Sequence, residues 1–175
     1  MKKAILLLLM STSVLLSCNK DDDDSPKSKT ELIARTWEVQ TGIMSVGASP
    51  EIPGYTKDRP GNLVDMSKFR LQFKNDGTFV QTSLDGTSST GTWALSENDT
   101  KLTLMSTQLQ AGDTWKVDNL TEQNLDISRQ IAGNSTAPGD LYWINLIESY
   151  LKNAPALPFS PRDGVKIMVK TIPVQ

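Results

Sequence analysis

Apolar and polar residues alternate in short segments along most of the chain. In "FRLQF", Phe69 to Phe73, every second residue is apolar, which is the period of a β-strand with one buried face. The Asp-Gly pairs of "NDGT" and "LDGT" follow such segments and predict hairpin turns, because glycine accepts the positive φ that these turns require. Short connections favour antiparallel neighbours in an all-β barrel or sandwich. The pattern predicts eight strands, in "TWEVQTGIMSV", "FRLQF", "FVQTSL", "TGTWALS", "KLTLMS", "GDTWKVDNL", "LDISRQI" and "VKIMVKTIPV".

Two segments depart from this alternation. "GDLYWINLIESYLKN" places its apolar residues on one side of a helix, and Asp140 is positioned to cap the start. We therefore expect one helix before the last strand. Residues 47–62 contain three prolines and three glycines, a composition that we take to exclude regular structure. A connection of this length is usually a functional lid or a disordered insert, and Tyr55 is its aromatic residue.

The N-terminal residues have the order of a bacterial signal peptide. Lys2 and Lys3 precede an almost wholly apolar run, residues 4–16, which is too short to cross a bilayer core of about 30 Å as a helix. "LLSC" ends at Cys18, the only cysteine, and resembles the lipobox, in which a peptidase cuts before a cysteine that carries diacylglycerol. We expect residues 1–17 to be a lipoprotein signal peptide and the lipid on Cys18 to anchor the chain to a membrane. A buried N-terminal helix is the alternative.

The residues after Cys18 predict an acidic tether. "NKDDDD" is typical of a solvated spacer because like charges repel, and contiguous aspartates lack the spacing of a calcium loop. Lysine followed by acidic residues also resembles the surface-export tag of lipoproteins in one phylum of Gram-negative bacteria. We expect residues 18–30 to be a flexible tether and residues 31–175 one folded domain. The expected location is the outer membrane, lipid-anchored and facing the cell surface, with a periplasm-facing orientation left open.

Composition argues against several classes of function. The formal net charge is −2 and the sequence has no basic patch, so nucleic acid is not an expected partner. The chain has no histidine, the commonest general base and metal ligand. The sequence contains no familiar nucleophile or phosphate-binding motif, and many carboxylates fall in turns, where backbone hydrogen bonds explain them. We therefore expect no catalytic residue, metal or cofactor, and a protein that is not an enzyme.

Four segments together resemble the small lipocalin-like lipoproteins of Gram-negative bacteria. They are "ELIARTWEVQ", "FRLQFKNDGTFVQT", "GTWALSENDTKLTLM" and "WKVDNLTEQNLDIS". Trp37 matches the tryptophan of the family's Gly-x-Trp, whereas Arg35 stands where the glycine is expected. A helix before the last strand is a second departure. The resemblance implies an eight-stranded antiparallel up-and-down (lipocalin-like, or calycin) barrel, closed at one end and open to a ligand at the other.

The inward faces of the strands supply the candidate ligand site. An eight-stranded barrel is either filled by side chains or left with room for one small ligand. Arg129 shares the inward face of its strand with Ile127 by the period of two, and is costly to bury without a partner. It could hold an anionic head group, stack on a tryptophan at the barrel floor, or turn outward. The candidate lining residues are Trp37, Phe69, Leu71, Phe79, Gln81, Trp93, Trp115, Ile127 and Arg129, with Tyr55 in the lid loop.

The same residues are also explained as plain hydrophobic core. The predicted inward set is Trp37, Val39, Phe69, Leu71, Phe73, Phe79, Trp93, Leu95, Leu102, Leu104, Trp115, Val117, Leu125, Ile127, Ile167 and Val169. Two functions follow from these alternatives. Either the barrel binds a small apolar or amphipathic molecule, or a filled barrel contacts a partner protein or glycan through Tyr55, Tyr142 and Trp143. A cavity of about 300 Å³ or more favours the first function.

Overall fold

The structure is a computed structural model that describes residues 26–106, 112–152 and 160–175. The predicted signal peptide, Cys18 and the acidic part of the tether lie outside these residues. A short 3₁₀ turn, Pro161–Asp163, precedes the last strand. The other elements, in chain order, are α1 (Lys29–Ile33), β1 (Thr36–Val46), β2 (Ile52–Thr56), β3 (Arg70–Phe73), β4 (Thr78–Thr82), β5 (Ser88–Ser96), β6 (Lys101–Ser106), β7 (Asp113–Leu120), β8 (Leu125–Ile131), α2 (Pro138–Leu151) and β9 (Val165–Pro173).

Eight strands, β1 and β3 to β9, form a closed antiparallel barrel. From β3 onward each strand pairs with the next strand along the chain, and β1 pairs with β3 near its start. β1 also pairs with β9 along its whole length, which joins the first and last strands of the barrel. The predicted eight-stranded up-and-down barrel with one helix before its last strand is therefore confirmed, and the sandwich alternative is excluded.

The two Asp-Gly turns connect neighbouring strands as predicted. Gly77 has a φ of 80° between β3 and β4, and Gly86 has a φ of 90° between β4 and β5. Asp76 accepts a hydrogen bond from the backbone N–H of Thr78 at 2.9 Å, and Asp85 makes the equivalent contact in the second turn. Short polar side chains that bond the backbone two residues on are the reason why aspartate is favoured here.

The prediction that residues 47–62 lack regular structure is wrong, because they contain strand β2. β2 pairs with the second half of β1, with a register shift at Gly42 and Ile43. Pro53 is accommodated because β2 is the edge strand of the sheet, where the missing N–H leaves no ladder bond unmade. Asn62 stabilises the following turn through hydrogen bonds with both backbone groups of Thr56, each at 2.9 Å.

The strands run between two ends, one of which is filled with side chains. This closed end contains Trp37, Phe73, Phe79 and Trp93, all buried, and α1 lies beside it. The indole N–H of Trp37 donates to the carbonyl of Ile33 in α1 at 2.9 Å. Large aromatic side chains therefore close this end. Of the predicted inward set, all are buried except Phe69, Leu95 and Val117, which are partly buried and pack against the core.

Helix α2 lies over the other end, which we call the capped end. Its inner face buries Ile144 and Ile147. The prediction that Asp140 caps this helix is wrong, because the N-cap is Ala137, followed by Pro138, and no side chain makes the cap hydrogen bond. Pro138 suits the first turn because that position needs no backbone N–H donor. Within the described residues, no helix is long and apolar enough to cross a membrane.

We predict that Gly91→Ala destabilises the barrel. Gly91 of β5 lies opposite Phe79, and an added Cβ would stand 2.1 Å from the carbonyl oxygen of Met105 and 2.6 Å from the Phe79 ring. The carbonyl belongs to the backbone of the neighbouring strand, so we expect the free energy of unfolding in urea to fall by about 2–3 kcal/mol, as for other overpacked cores. Gly54→Ala is the matched control, since its Cβ would meet mainly the flexible Met44 side chain, at 3.1 Å. An equal loss in both variants would contradict this account.

Candidate functional site

A cavity of about 190 Å³ lies at the capped end, between the barrel interior and helix α2. Its walls are mostly carbon, and they come from seven barrel strands, β2 and the helix. Such a lining excludes water-soluble ions and favours apolar molecules. The residues that contribute to it are Gly42, Ile43, Met44, Gly54, Tyr55, Val64, Met66, Phe69, Leu71, Gln81, Ser83, Leu84, Leu104, Ser106, Asp113, Trp115, Ile127, Tyr142, Trp143, Leu146, Ile147, Tyr150, Ile167 and Val169.

One wall of the cavity exists because strand β3 is short. β3 pairs with β1 only over Thr36–Glu38, and β2 takes its place along the second half of β1. β2 and the residues after it therefore complete the wall, with Tyr55 and Met66 among the lining side chains. Glu38 of β1 forms ion pairs with Lys57 and with Arg70, the latter at 2.8 Å, which attach both ends of this segment to the barrel.

The opposite side of the cavity is covered by α2, which a buried polar cluster attaches to the barrel. Asp113 of β7 forms an ion pair with Arg129 of β8, and their side chains are 4% and 10% exposed. Asp113 Oδ2 also accepts hydrogen bonds from the indole N–H of Trp115, at 3.1 Å, and of Trp143 in α2, at 3.0 Å. The two indole rings pack edge to face at 5.4 Å. One carboxylate thus connects two strands and the helix.

Asp140, in the first turn of α2, completes this cluster. Arg129 Nη2 donates to Asp140 Oδ1, and the Ser135 hydroxyl donates to Asp140 Oδ2. Burial acts to raise the pKa of Asp140, but the hydrogen bonds from Ser135 and Arg129 outweigh it and hold the pKa below its ordinary value of 3.8. Asp140 is therefore ionised at neutral pH, and Arg129 is neutralised by carboxylates on two sides.

Neutral polar groups face the cavity on the side of β2 and β4. Gln81 and Ser83 lie on the inward face of β4 and beyond it, above the buried Phe79, and Tyr55 lies on β2. Within the described parts of the chain, no protein group hydrogen-bonds to the side chains of Gln81 and Ser83 or to the hydroxyl of Tyr55. Burial, followed by the charges of Asp65 and Asp58, raises the pKa of Tyr55, so this hydroxyl remains protonated at neutral pH.

The structure brings together only some of the predicted lining residues. Tyr55, Phe69, Leu71, Gln81, Trp115 and Ile127 line the cavity. Trp37, Phe79 and Trp93 do not, because they fill the closed end. Arg129 also lies outside the lining. Its partners are Asp113, for which no role was predicted, and Asp140, which was predicted only to cap α2.

The three aromatic residues predicted to contact a partner differ in their exposure. Tyr55 is only 4% exposed, so the expectation that it projects from a lid loop is wrong: pairing of β2 with β1 turns it into the barrel wall. Trp143 packs on Trp115 and so attaches the helix to the barrel instead of contacting a partner. Tyr142 is 51% exposed and remains available at the surface.

Asp113 and the helix residues Leu146, Ile147 and Tyr150 are among the lining residues that were not predicted. For Asp113 a signal existed, because it precedes Trp115 by two residues and therefore shares its face of β7. For the helix residues, the signal was the row of apolar side chains on one side of the predicted helix. The sequence did not show which part of the barrel that row covers.

Fold and site together define a closed eight-stranded antiparallel barrel with an apolar cavity capped by a helix. No protein-family model and no curated protein sequence matches the chain. Solved structures of similar shape include a lipocalin-like protein from Bacteroides uniformis, with 13% identity, a TM-score of 0.36, and coverage of 54% of this chain and 87% of that one. Another, an uncharacterized protein from Bacteroides eggerthii, has 9% identity, a TM-score of 0.38, and coverage of 80% and 98%. Similarity this low carries no argument about ligand or activity, which must rest on the site.

We predict that Asp113→Asn detaches helix α2 and strongly destabilises the protein. The substitution leaves Arg129 buried with one carboxylate partner fewer and removes the charge that accepts from both indoles. Breaking a buried ion pair from one side costs about 3–5 kcal/mol, which urea denaturation would detect, with a shift in Trp143 fluorescence. Asp118→Asn on the same strand is the control, because its ion pair with Lys116 is largely exposed and should contribute at most about 1 kcal/mol. Equal losses in the two variants would show that the cluster does not attach the helix.

Proposed function

We propose that this barrel binds one small hydrophobic or amphipathic molecule in the cavity at its capped end. The observation that carries the proposal is the apolar cavity between the barrel and α2. A barrel that served only as a scaffold would gain stability from a filled interior, since a void forfeits packing contacts. The closed end is filled with aromatic side chains, so the fold is capable of such packing where no space is kept.

The volume of the cavity limits the size of the ligand. At about 190 Å³, it does not reach the roughly 300 Å³ that the sequence analysis took as favouring a binding barrel, which is the lower end of sites for drug-sized molecules. However, a cavity of about 150 Å³ lined by Leu, Ile and Phe admits benzene. The ligand that fits without rearrangement is therefore about the size of a single substituted ring.

We propose that α2, and not the segment 47–62, moves to admit the ligand. β2 forms a backbone ladder with β1, and the residues after it are attached through Glu38. Helix α2 is attached through side chains, namely its apolar face and the cluster around Asp113. An element held by side-chain contacts can separate from the barrel without breaking the sheet.

We further propose that the chain is an outer-membrane lipoprotein that faces the cell surface. Support comes from the signal-peptide pattern of residues 1–17, the lipobox-like "LLSC" and the acidic tether of residues 18–30. The described chain enters the fold beside the closed end, where Lys29 Nζ donates to the carbonyl of Leu120 at 2.8 Å. A tether that joins at the closed end would direct the cavity away from the lipid surface.

The alternative function, a surface module that contacts a protein or glycan, has less support. It requires a filled barrel and exposed aromatic contacts. The capped end contains a cavity, and of the three expected contacts Tyr55 is buried and Trp143 packs on the barrel. Tyr142 alone is exposed. Binding of a small molecule is therefore the function that the site favours.

We predict that the full-length protein binds ethylbenzene and that Ile127→Phe weakens this binding at least tenfold. Ile127 lines the cavity, so a larger side chain there occupies the space that the ligand needs. Calorimetry on the protein in phospholipid nanodiscs, with empty nanodiscs as the blank, measures the affinity. Ile172→Phe is the matched control, because Ile172 is partly exposed and does not line the cavity. Unchanged binding by Ile127→Phe would place the ligand elsewhere, and failure of the wild type to bind either ethylbenzene or a neutral hydroxylated analogue would contradict the proposed function.

We predict that Cys18→Ala releases the protein from the membrane fraction of its host. Without the thiol no diacylglycerol can be attached, and several buried acyl chains are what anchor a lipoprotein firmly. Cell fractionation followed by immunoblotting measures the distribution. Ser17→Ala, which keeps the cysteine and a small residue before it, is the control and should remain with the membranes. Sedimentation of Cys18→Ala with membranes to the same extent as the parent would show that the anchor is elsewhere.

A further inference from the structure

The lining of the cavity carries almost no charge. Among the described residues that form it, Asp113 is the only aspartate, glutamate, lysine or arginine. The remaining polar contributors are amide, hydroxyl and indole groups. A buried charge is stable only with a partner of opposite charge. A charged ligand would therefore need an unpaired charged group at Asp113 or among its neighbours.

An anionic ligand finds no available cation at this site. Arg129, which lies next to Asp113, already pairs with Asp113 and with Asp140. A carboxylate or phosphate on the ligand would have to displace one of these side chains and leave it buried without its partner. The cluster of one guanidinium and two carboxylates also has a net negative charge, which repels an anion.

A cationic ligand finds no available carboxylate either. Asp113 Oδ1 faces Arg129 Nη1, and Asp113 Oδ2 accepts from both Trp115 and Trp143. An ammonium group that approached Asp113 would therefore compete with three existing donors. The charged groups beside the cavity are occupied with one another, and the ligand they leave room for is neutral.

The neutral polar groups on the other wall are, in contrast, unoccupied. The amide of Gln81 offers both a donor and an acceptor, and Ser83 and Tyr55 line the same cavity without hydrogen-bond partners for their hydroxyls among the described residues. A hydroxyl on the ligand can donate to the amide oxygen of Gln81 and can accept from its amide nitrogen. A carbonyl on the ligand could only accept. A ligand without any polar group would leave these groups buried and unpaired.

We propose that the ligand is an uncharged molecule about the size of one substituted ring that carries a single hydroxyl group bonded to the Gln81 amide. This rests on the proposed function and names the chemical class that the same cavity takes. The apolar walls contact the ring, and the wall with Gln81, Ser83 and Tyr55 orients the hydroxyl. The cluster around Arg129 rejects charged analogues of the same shape.

Three probes of similar shape test this class. They are 4-ethylphenol, which is neutral at pH 7, ethylbenzene, which lacks the hydroxyl, and 4-ethylbenzoate, which is anionic. We expect the full-length protein in nanodiscs to bind 4-ethylphenol about tenfold more tightly than ethylbenzene, as one net hydrogen bond allows, and to bind 4-ethylbenzoate more weakly than either. Gln81→Leu should remove the preference for 4-ethylphenol, because the amide that bonds the hydroxyl group is gone.

Gln72→Leu is the matched control, because Gln72 lies on the exposed face of β3 and does not line the cavity. This variant should keep the tenfold preference. Tighter binding of 4-ethylbenzoate than of 4-ethylphenol, or a preference that survives Gln81→Leu, would overturn the assignment of the ligand class while leaving the proposed function intact. If none of the three probes binds, the proposed function fails together with this inference.

Discussion

The pairing of β1 with β9 is the constraint on which the rest of the structure depends. The ladder runs from Trp37 opposite Pro173 to Val46 opposite Val165, and so joins the two ends of the barrel domain. Once the sheet is closed, the alternating residues of every strand share one interior. An open sheet would have two exposed edges and no enclosed space. The cavity, its capping helix and the filled end are all consequences of this closure.

The two ends of the barrel use the shared interior differently. At the closed end, Trp37, Phe73, Phe79 and Trp93 fill the space. Toward the capped end the inward residues of β4 become polar. β3 is only four residues long and does not extend to this end, so β2 replaces it as part of the wall. A short strand thus has a large effect, because it allows a less tightly packed segment to form one side of the cavity.

The helix over the cavity is held by a buried charged cluster instead of by a larger apolar contact. Buried ion pairs contribute less to stability than their charges suggest, because both groups lose their hydration. Asp113 nevertheless contacts three groups at once, since one oxygen faces Arg129 and the other accepts from two indole donors. This arrangement positions α2 in one register over the barrel. It also pairs Arg129 with Asp113 and Asp140 outside the cavity lining, so the polar groups on the β4 side of the cavity are neutral.

The sequence by itself determined the local features of this protein. The alternation of residues identified all eight barrel strands, the Asp-Gly pairs identified two turns, and the apolar stripe identified α2, because each depends on residues close together in the chain. Only the tertiary structure decided which side chains meet. Arg129 was a candidate for holding an anion until the fold placed Asp113 and Asp140 beside it. Residues 47–62 looked irregular because proline and glycine disfavour strands locally. The short β3 leaves one edge of the second half of β1 free, however, and this edge supplied a partner for β2. Pairing between distant segments is a property of the closed barrel, and no local pattern encodes it.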